Sequence, residues 1–435
     1  MFPNNMNKNI LRLAIPNIIS NLTVPLLTIV DLHLMGYLDS VTFMGAVALG
    51  GTIFNLVYMS FGALRMSTSG LTAQSYGAND HSETVTNLFR GLFIALIGSI
   101  LILTLQVPIA NISFFILSGS EQVTTLAQNY FYIRIWAVPA AISMMVINGW
   151  FIGMQNAKYP LITSLAINII NIAADIYFVR VLGWNEKGVA AGSVIAQYSG
   201  LILSLILLNK KYHNLLPYIN IKKIRHFAEV RHYLALSSNI FIRTVCFITV
   251  FTFFTSASAA FGDVALASNT ALLQFLMIFS YFLDGFAYAA EAITGKFLGA
   301  KKYDKLYEAI RKLLLWGLGF GLFFSTIYLI GGDKIIYLFT DKKEVINYSN
   351  EYLKWLIILP LISFASYIWD GIFIGITAST GMRNSAIISA VLFFLIFYLL
   401  KVPLQNHALW LAMLIFMASR GISLSIISKK TIYTH

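Results

Sequence analysis

The sequence predicts an all-α polytopic membrane protein: twelve transmembrane helices arranged as two six-helix lobes through a parallel internal repeat. Three observations carry this. Hydrophobic residues make up 58% of the 435 residues and charged residues only 11%, against roughly 25% charged in an average soluble domain. Mean hydropathy is +0.75, and apolar runs of about 20 residues, the length that crosses a bilayer, recur from Ile10 nearly to the C-terminus. The two halves also match each other at one fixed offset. Disorder, a secreted disulfide scaffold and a soluble DNA-binding protein are excluded. The excess of 30 Lys and Arg over 18 Asp and Glu fits basic cytoplasmic loops rather than nucleic-acid binding. The single cysteine, Cys246, allows neither an internal disulfide nor a multi-cysteine metal site and is expected to pack inertly.

Reading the chain between polar and Gly/Pro breaks gives spans near 10–36, 43–72, 87–110, 126–155, 160–182 and 188–208. The second set lies near 232–256, 264–296, 310–331, 350–376, 385–403 and 407–428. The first apolar stretch lacks a small-residue cleavage pattern and reads as a membrane helix. An even number of spans puts both termini on one side. That side carries Lys8, Arg12, Lys158, Arg383 and the central Lys210, Lys211, Lys222, Lys223, Arg225 and Arg231, among eighteen bases against about six opposite. Both termini are therefore expected in the cytoplasm.

The polar stretch 209–231 divides the chain into lobes 1–208 and 232–435, with a basic cytoplasmic linker between them. A shift of 222 residues places Thr72 and Gly77-Ala78 on Thr294 and Gly299-Ala300. The same shift places Gly149 and Gly153 on Gly371 and Gly375, with Pro139 close to Pro360. Six helices per repeat insert both halves the same way up, a transporter-like plan.

Ionisable groups within such helices are costly, about 2.5–3.5 kcal/mol each on insertion scales, and are functional candidates by default. Asp31 lies roughly 7 Å below the outer end of the first helix, and Asp175 roughly 10 Å below that of the fifth. Asn171 and Asp175 are four apart and share a face. Burial favours a neutral carboxyl and a nearby cation favours a charged one, so such a set can bind and release H⁺ or hold sodium. A hydrogen-bonded structural network is the competing reading. In the second half, Asp284 and Glu291 share a face of the eighth helix, with Lys296 or Arg243 as candidate partners for Glu291. Asp370 reads as structural. Arg65 and Arg243 are deep enough to neutralise carboxylates, whereas Arg134 and Arg420 are expected to snorkel to helix ends. Pro16 and Pro25 remove backbone donors from the first helix, and a bend is expected there. Met144 and Met145 stand among the side chains suited to an adaptable, greasy cavity for organic cations.

The chain contains no GxxxxGK[ST] loop, no HExxH and no TVGYG filter. An ATP-driven motor, a metalloprotease and a potassium channel are not expected. No catalytic constellation appears, so an enzyme is not expected.

The sequence resembles the multidrug and toxic compound extrusion (MATE) family, in its DNA-damage-inducible F branch. The resemblance rests on Leu13-Ala-Ile-Pro-Asn-Ile, Val30-Asp31 with Gly36, and Phe61-Gly-Ala-Leu-Arg-Met-Ser-Thr-Ser-Gly-Leu-Thr-Ala-Gln-Ser-Tyr-Gly-Ala. It continues through Asn239-Ile-Phe-Ile-Arg-Thr, Gly262-Asp-Val-Ala-Leu-Ala-Ser-Asn and Leu283-Asp-Gly-Phe-Ala-Tyr-Ala-Ala-Glu-Ala. It implies two six-helix lobes around a central cleft and export of amphipathic or cationic organic compounds in exchange for H⁺ or Na⁺. It implies a cation site on Asp31, Asn171, Asp175 and Ser193, with Asn148 as a weaker match, and a bending point at Pro16. His33 beside Asp31 and Ser193 in place of a commoner Thr depart from the family pattern. Together these readings predict a monomeric efflux antiporter of the bacterial inner membrane, embedded in lipid. Its partners are small organic substrates, it takes no cofactor beyond the coupling ion, and it has no nucleic-acid partner. Asp284, Glu291, Met144 and Met145 are the candidate substrate contacts. A flippase for a lipid-linked sugar is the alternative, for which the chain has few deep bases.

Overall fold

The computed structural model describes the backbone of residues 6–36, 41–117 and 119–432, and their side chains except at 24–36, 41 and 333. All regular structure among them is helical. In chain order the helices are α1 (Met6–Gly36), α2 (Val41–Gly77), α3 (His81–Thr104), α4 (Gln106–Ile116), α5 (Glu121–Arg134), α6 (Val138–Gly153), α7 (Lys158–Asp175) and α8 (Asn185–Tyr212). After the one-turn α9 (Ile221–Ile224) come α10 (Phe227–Ala260), α11 (Asp263–Gly299), α12 (Tyr303–Ile336), α13 (Lys343–Gly375), α14 (Ser379–Leu404) and α15 (Asn406–Thr431). Eleven spans among the described residues are long and apolar enough to cross a membrane. With the 31-residue α1 they make the twelve transmembrane helices that the hydropathy predicts.

Three expected spans are not single regular helices, the fifth because it ends in a π-helical turn, Ile176–Val181. The third divides at Leu105 into α3 and α4, and the fourth carries a short 3₁₀ turn, Ile135–Ala137, ahead of Pro139. Proline cannot donate to the preceding turn, so the tighter winding falls where the helical ladder would already be interrupted. By contrast α1 is assigned as continuous, with Pro16 inside it.

The chain forms two compact units, Ile19–Leu234 and Ala235–His435, the latter joined by the chain up to Ile18. This division falls two residues after Pro16. It groups the polar stretch expected as a linker with the first half.

Within each unit one helix pair makes the closest backbone approach, and the two pairs correspond. A Cβ on Gly149 of α6 would lie 2.2 Å from the Arg65 carbonyl oxygen of α2, and one on Gly371 of α13 would lie 2.3 Å from the Ala287 carbonyl oxygen of α11. One turn on, Gly153 faces the Ser69 carbonyl oxygen at 2.8 Å and Gly375 faces that of Glu291 at 2.5 Å. Every residue in the second set is 222 beyond its counterpart. The helix ends repeat as well. The Asp80 amide donates to the Ser75 carbonyl at 3.0 Å and the Lys302 amide to that of Phe297 at 2.9 Å. Left-handed residues close these ends at Asn79 and Lys301, and again at Gln155 and Thr377. The internal repeat is therefore a repeat of backbone geometry.

The first unit buries Phe54, Phe131, Trp150 and Phe151, and the Trp150 indole donates to the Thr84 carbonyl at 2.8 Å. The second buries Phe254, Phe279, Phe286 and Trp410, with an amide pair beside Trp410. There Asn269 donates to Asn406 at 2.7 Å and accepts from the Trp410 indole at 2.9 Å. Satisfying these amides inside the unit meets the requirement of a lipid environment that supplies no water.

Substituting Gly371→Ala or Gly149→Ala forces a methyl into a backbone carbonyl. Each is expected to lower stability by about 1–3 kcal/mol, read as a lower thermal midpoint of the purified protein. Gly62→Ala and Gly319→Ala, where no heavy atom lies within 4 Å, are expected to leave the midpoint unchanged.

Candidate functional site

The clearest polar feature of the first unit is a stripe along α7. Ser164, Asn168, Asn171 and Asp175 recur at four-, three- and four-residue steps and so line one helical face. At its far end the Asn171 amide donates to the Asp175 carboxylate at 3.2 Å. Asn171 is 6% exposed and Asp175 1%.

The helix changes winding at that point. Ile176–Val181 forms a π-helical turn, and the Ile176 amide is shared between the carbonyls of Ile172 and Ala173. Such turns occur often at functional sites because they re-aim a side chain without ending the helix.

Across from Asp175 the neighbouring helix has no side chain. A Cβ on Gly192 of α8 would lie 2.1 Å from the Asp175 Oδ1 atom. Gly188 and Gly200 face the π turn and α7 in the same way, with Cβ positions 3.0 Å from Phe178 Cβ and 2.5 Å from Ile167 Cγ1. Small residues at such spacing let membrane helices approach closely, and here the approach seats a carboxylate. Gly192 was not singled out from the sequence, since a glycine on an apolar helix reads as packing until its neighbour is known. The extension of the stripe through Ser164 and Asn168 was legible as helical spacing and was missed.

The first helix packs on the start of this stripe. The hydroxyls of Thr23 and Ser164 lie 3.3 Å apart, and Asn168 donates to the Thr23 carbonyl at 3.4 Å. The backbone of Asp31 is eight residues further along α1, about 12 Å. Alternating spans run α1 and α7 in the same direction, and eight residues beyond Ser164 and Asn168 lie Ile172 and Ile176. The Asp31 backbone therefore reaches the level of Asp175. The side chains of Asp31, Pro25 and His33 lie outside the described residues.

The remaining candidates are placed as follows. Ser193 follows Gly192 on α8 and is half-buried. Asn148 on α6 faces the Thr163 hydroxyl at 3.5 Å, about 12 Å down α7 from Asn171, and so belongs to a different level. Met144 is buried, its sulfur 3.0 Å from where a Gly200 Cβ would lie, and Met145 is half-buried. Asp284 on α11 is half-buried, within electrostatic reach of Tyr281 and Tyr367. Glu291 is buried, and its carbonyl forms part of the contact with Gly375. Among the described residues no His, Cys, Asp and Glu cluster suits a metal ion.

The second unit holds its charges elsewhere. Asp370 of α13 accepts from the guanidinium groups of both Arg243 on α10 and Arg420 on α15. Both guanidinium groups lie over the Phe247 ring, at 4.3 Å and 3.9 Å from its centre. Arg420 was expected to snorkel, but it is 1% exposed. The reason is depth: Thr431, where α15 ends, is eleven residues or about 17 Å away, beyond the reach of the side chain. Arg134, expected to do the same, instead donates to the Tyr130 hydroxyl and lies 5.1 Å from the Phe54 ring centre. Arg243 does neutralise a carboxylate of its own half, and that carboxylate is Asp370.

Comparing the repeats sharpens the contrast. The positions 222 beyond Asp31, Asn171 and Asp175 are Phe253, Phe393 and Phe397. The Phe253 ring packs against Phe397 at 5.2 Å and Phe393 at 6.0 Å between centres. Asp370 itself corresponds to Asn148. The same scaffold thus carries a polar set in one half and a ring cluster in the other.

Two outcomes follow. Gly192→Ala should fold but displace the Asp175 carboxylate from Asn171, seen as a longer Asn171–Asp175 separation in the variant's structure, while the thermal midpoint moves little. Asp370→Asn removes the counter-charge shared by the buried Arg420 and the half-buried Arg243 and should destabilise by about 3–5 kcal/mol. Adding Arg243→Met and Arg420→Met to it should restore most of that stability in the same thermal assay.

The sequence matches the MatE family over residues 16–177 and 240–400. It is 38% identical over 432 residues to the DNA damage-inducible protein F of Escherichia coli (strain K12), covering 99% of this chain and 93% of that one. It is 24% identical over 341 residues to the human multidrug and toxin extrusion protein 1, covering 78% of this chain and 59% of the relative. Among solved structures, a MATE protein in the straight conformation superposes with a TM-score of 0.88 at 19% identity, over 99% of this chain and 97% of that one. A MOP-superfamily transporter from Pyrococcus furiosus superposes with a TM-score of 0.86 at 18% identity, over 99% and 97%. The family match over both repeats and the near full-length similarity to the bacterial protein agree, and the chain belongs to the MatE family of multidrug and toxic compound extrusion transporters.

Proposed function

We propose that this transporter is a proton-coupled antiporter exporting amphipathic, cationic organic compounds, with Asp31 and Asp175 as its proton carriers. The observation that carries the reading is the buried Asn171–Asp175 pair under Gly192, on the helix whose Ser164 and Asn168 meet Thr23 of α1; Asp31 stands eight residues further along α1. Phe253 and Phe397 support it, since these repeat counterparts of Asp31 and Asp175 touch each other and neither can take up a proton.

The chemistry follows from the side-chain inventory. An amide both donates and accepts, so Asn171 is able to donate to a charged Asp175 and to accept from a protonated one. The site can change protonation without losing its hydrogen bond. A second carboxyl at the same depth disfavours the doubly charged state by like-charge repulsion. Proton entry from one side and release to the other then draws on the membrane potential, worth about 2.3 kcal/mol per charge per 100 mV. Ser193, one residue past Gly192, is the further oxygen that a sodium ion would use in place of a proton. Asp284, half-buried in the second unit, is the proposed contact for the positive charge of the exported compound, with Glu291 and Met145 as secondary candidates. Pro16, inside α1 and two residues before the division between units, is the proposed bending point. The transporter acts as a monomer in the bacterial inner membrane with both termini cytoplasmic, and needs no cofactor beyond its coupling ion.

Purified protein in proteoliposomes is expected to move a fluorescent organic cation under an imposed pH gradient. Asp31→Asn and Asp175→Asn should each reduce that movement at least a hundredfold while leaving a folded protein. Transport by either variant at the wild-type rate would remove these acids from the mechanism. Drive by a sodium gradient alone would reassign the ion.

A further inference from the structure

The segment between α8 and α10 presents exposed apolar and basic side chains together, and we propose that it binds the anionic headgroups of phospholipids. After α8, His213–Tyr218 make a 3₁₀ turn and Ile221–Ile224 form α9, directly before α10 begins at Phe227. This connection is held from beneath. The Asn220 side chain accepts from the amides of Lys222 and Lys223 at 3.1 and 3.3 Å, and Ile224 is buried. Arg90 of α3, 2% exposed, donates to the Lys223 carbonyl at 3.2 Å. Arg90 is itself fixed by Glu83 and Asn87, at 3.0 Å each. A buried cation thus anchors a surface turn through its backbone while the turn's own cations stay exposed, Lys223 reaching the Ser82 hydroxyl at 3.5 Å and Arg225 lying 6.0 Å from the Phe93 ring centre.

What faces outward is mixed in kind. Tyr218 is 50% exposed, Ile221 66% and Phe227 79%, interleaved with exposed Lys222, Lys223, Arg225 and His226. Glu229 is the exposed acidic residue that follows. Single exposed apolar side chains are ordinary on any surface. Here three of them stand within ten residues, on a pinned turn, beside three permanent cations and at the first residue of a membrane span. That combination matches the headgroup layer, where rings and aliphatic side chains settle at the acyl boundary and cations meet phosphates. A free phosphate would engage only the charges and a zwitterionic lipid would leave the net charge unmet, so the fitting occupant is an anionic phospholipid. This assignment does not depend on which ion drives transport.

The test uses the purified full-length protein in detergent, titrated with phosphatidylglycerol or phosphatidylcholine and read by native mass spectrometry. Saturable binding is expected to favour phosphatidylglycerol. Lys222→Gln with Arg225→Gln should weaken it about fivefold for each charge removed, and Ile221→Ser with Phe227→Ser should weaken it as well. A charge-matched pair elsewhere, Lys302→Gln with Lys305→Gln, should leave it intact, and soluble glycerol phosphate should not compete. Equal losses in the two charge-removing pairs would show diffuse attraction and overturn the proposal. So would equal binding of the two lipids, or full competition by glycerol phosphate.

Discussion

Backbone touching backbone at two pairs of glycines is the constraint on which the rest of the molecule depends. Lipid tails are as apolar as leucine, so membrane helices gain little by hiding hydrophobic side chains from one another, and close packing must supply the attraction. Gly149 and Gly153 bring α6 against α2, and Gly371 and Gly375 bring α13 against α11, at separations that admit no Cβ. At Gly149 and Gly371 the three nearest atoms are all backbone, so a substituent there has no flexible atom to push aside. Each seam fixes one helix pair in its unit, and the other helices of that unit take their places around it. The repeat is preserved most clearly at these glycines and at the helix ends that follow them.

A shared scaffold frees the two halves to differ in chemistry. The first half keeps a polar stripe on α7, in which a neutral amide holds Asp175 beneath a glycine. The second half fills the matching positions with phenylalanines that pack edge to face. Its deep carboxylate, Asp370, sits at the position of Asn148 and is held by two arginines that share one aromatic ring. Charges bonded to each other in a medium of low dielectric are costly to separate, so this trio ties α10, α13 and α15 together. Asp175 is instead met by the Asn171 amide, a partner that can both donate and accept. The like-folded halves thus differ in the neighbours that each acid has.

Much of this was legible in the sequence for identifiable reasons. Apolar runs and basic loops report membrane spans directly, and the 222-residue register shows because glycines at close contacts cannot be replaced. The pairing of Asn171 with Asp175 follows from their four-residue spacing. Other features depend on neighbours that a linear reading does not supply. The role of Gly192 rests on a carboxylate from another helix, and the π turn after Asp175 on a slip of hydrogen bonding without a residue signature. Arg420 was misjudged because its distance from the end of its helix was not weighed against the length of its side chain. The break at Leu105 follows from Pro108, which cannot donate to the Thr104 carbonyl at the end of α3, a local signal that the span reading passed over.

The central claim is that Asp31 and Asp175 form one site in the first half. The most direct measurement is cross-linking of an Asp31→Cys and Asp175→Cys double variant in a Cys246→Ala background, with Thr23→Cys and Ser164→Cys as the reference pair. The account predicts that a short thiol cross-linker joins both pairs at comparable rates. Efficient cross-linking of the reference pair with none between positions 31 and 175 would contradict it.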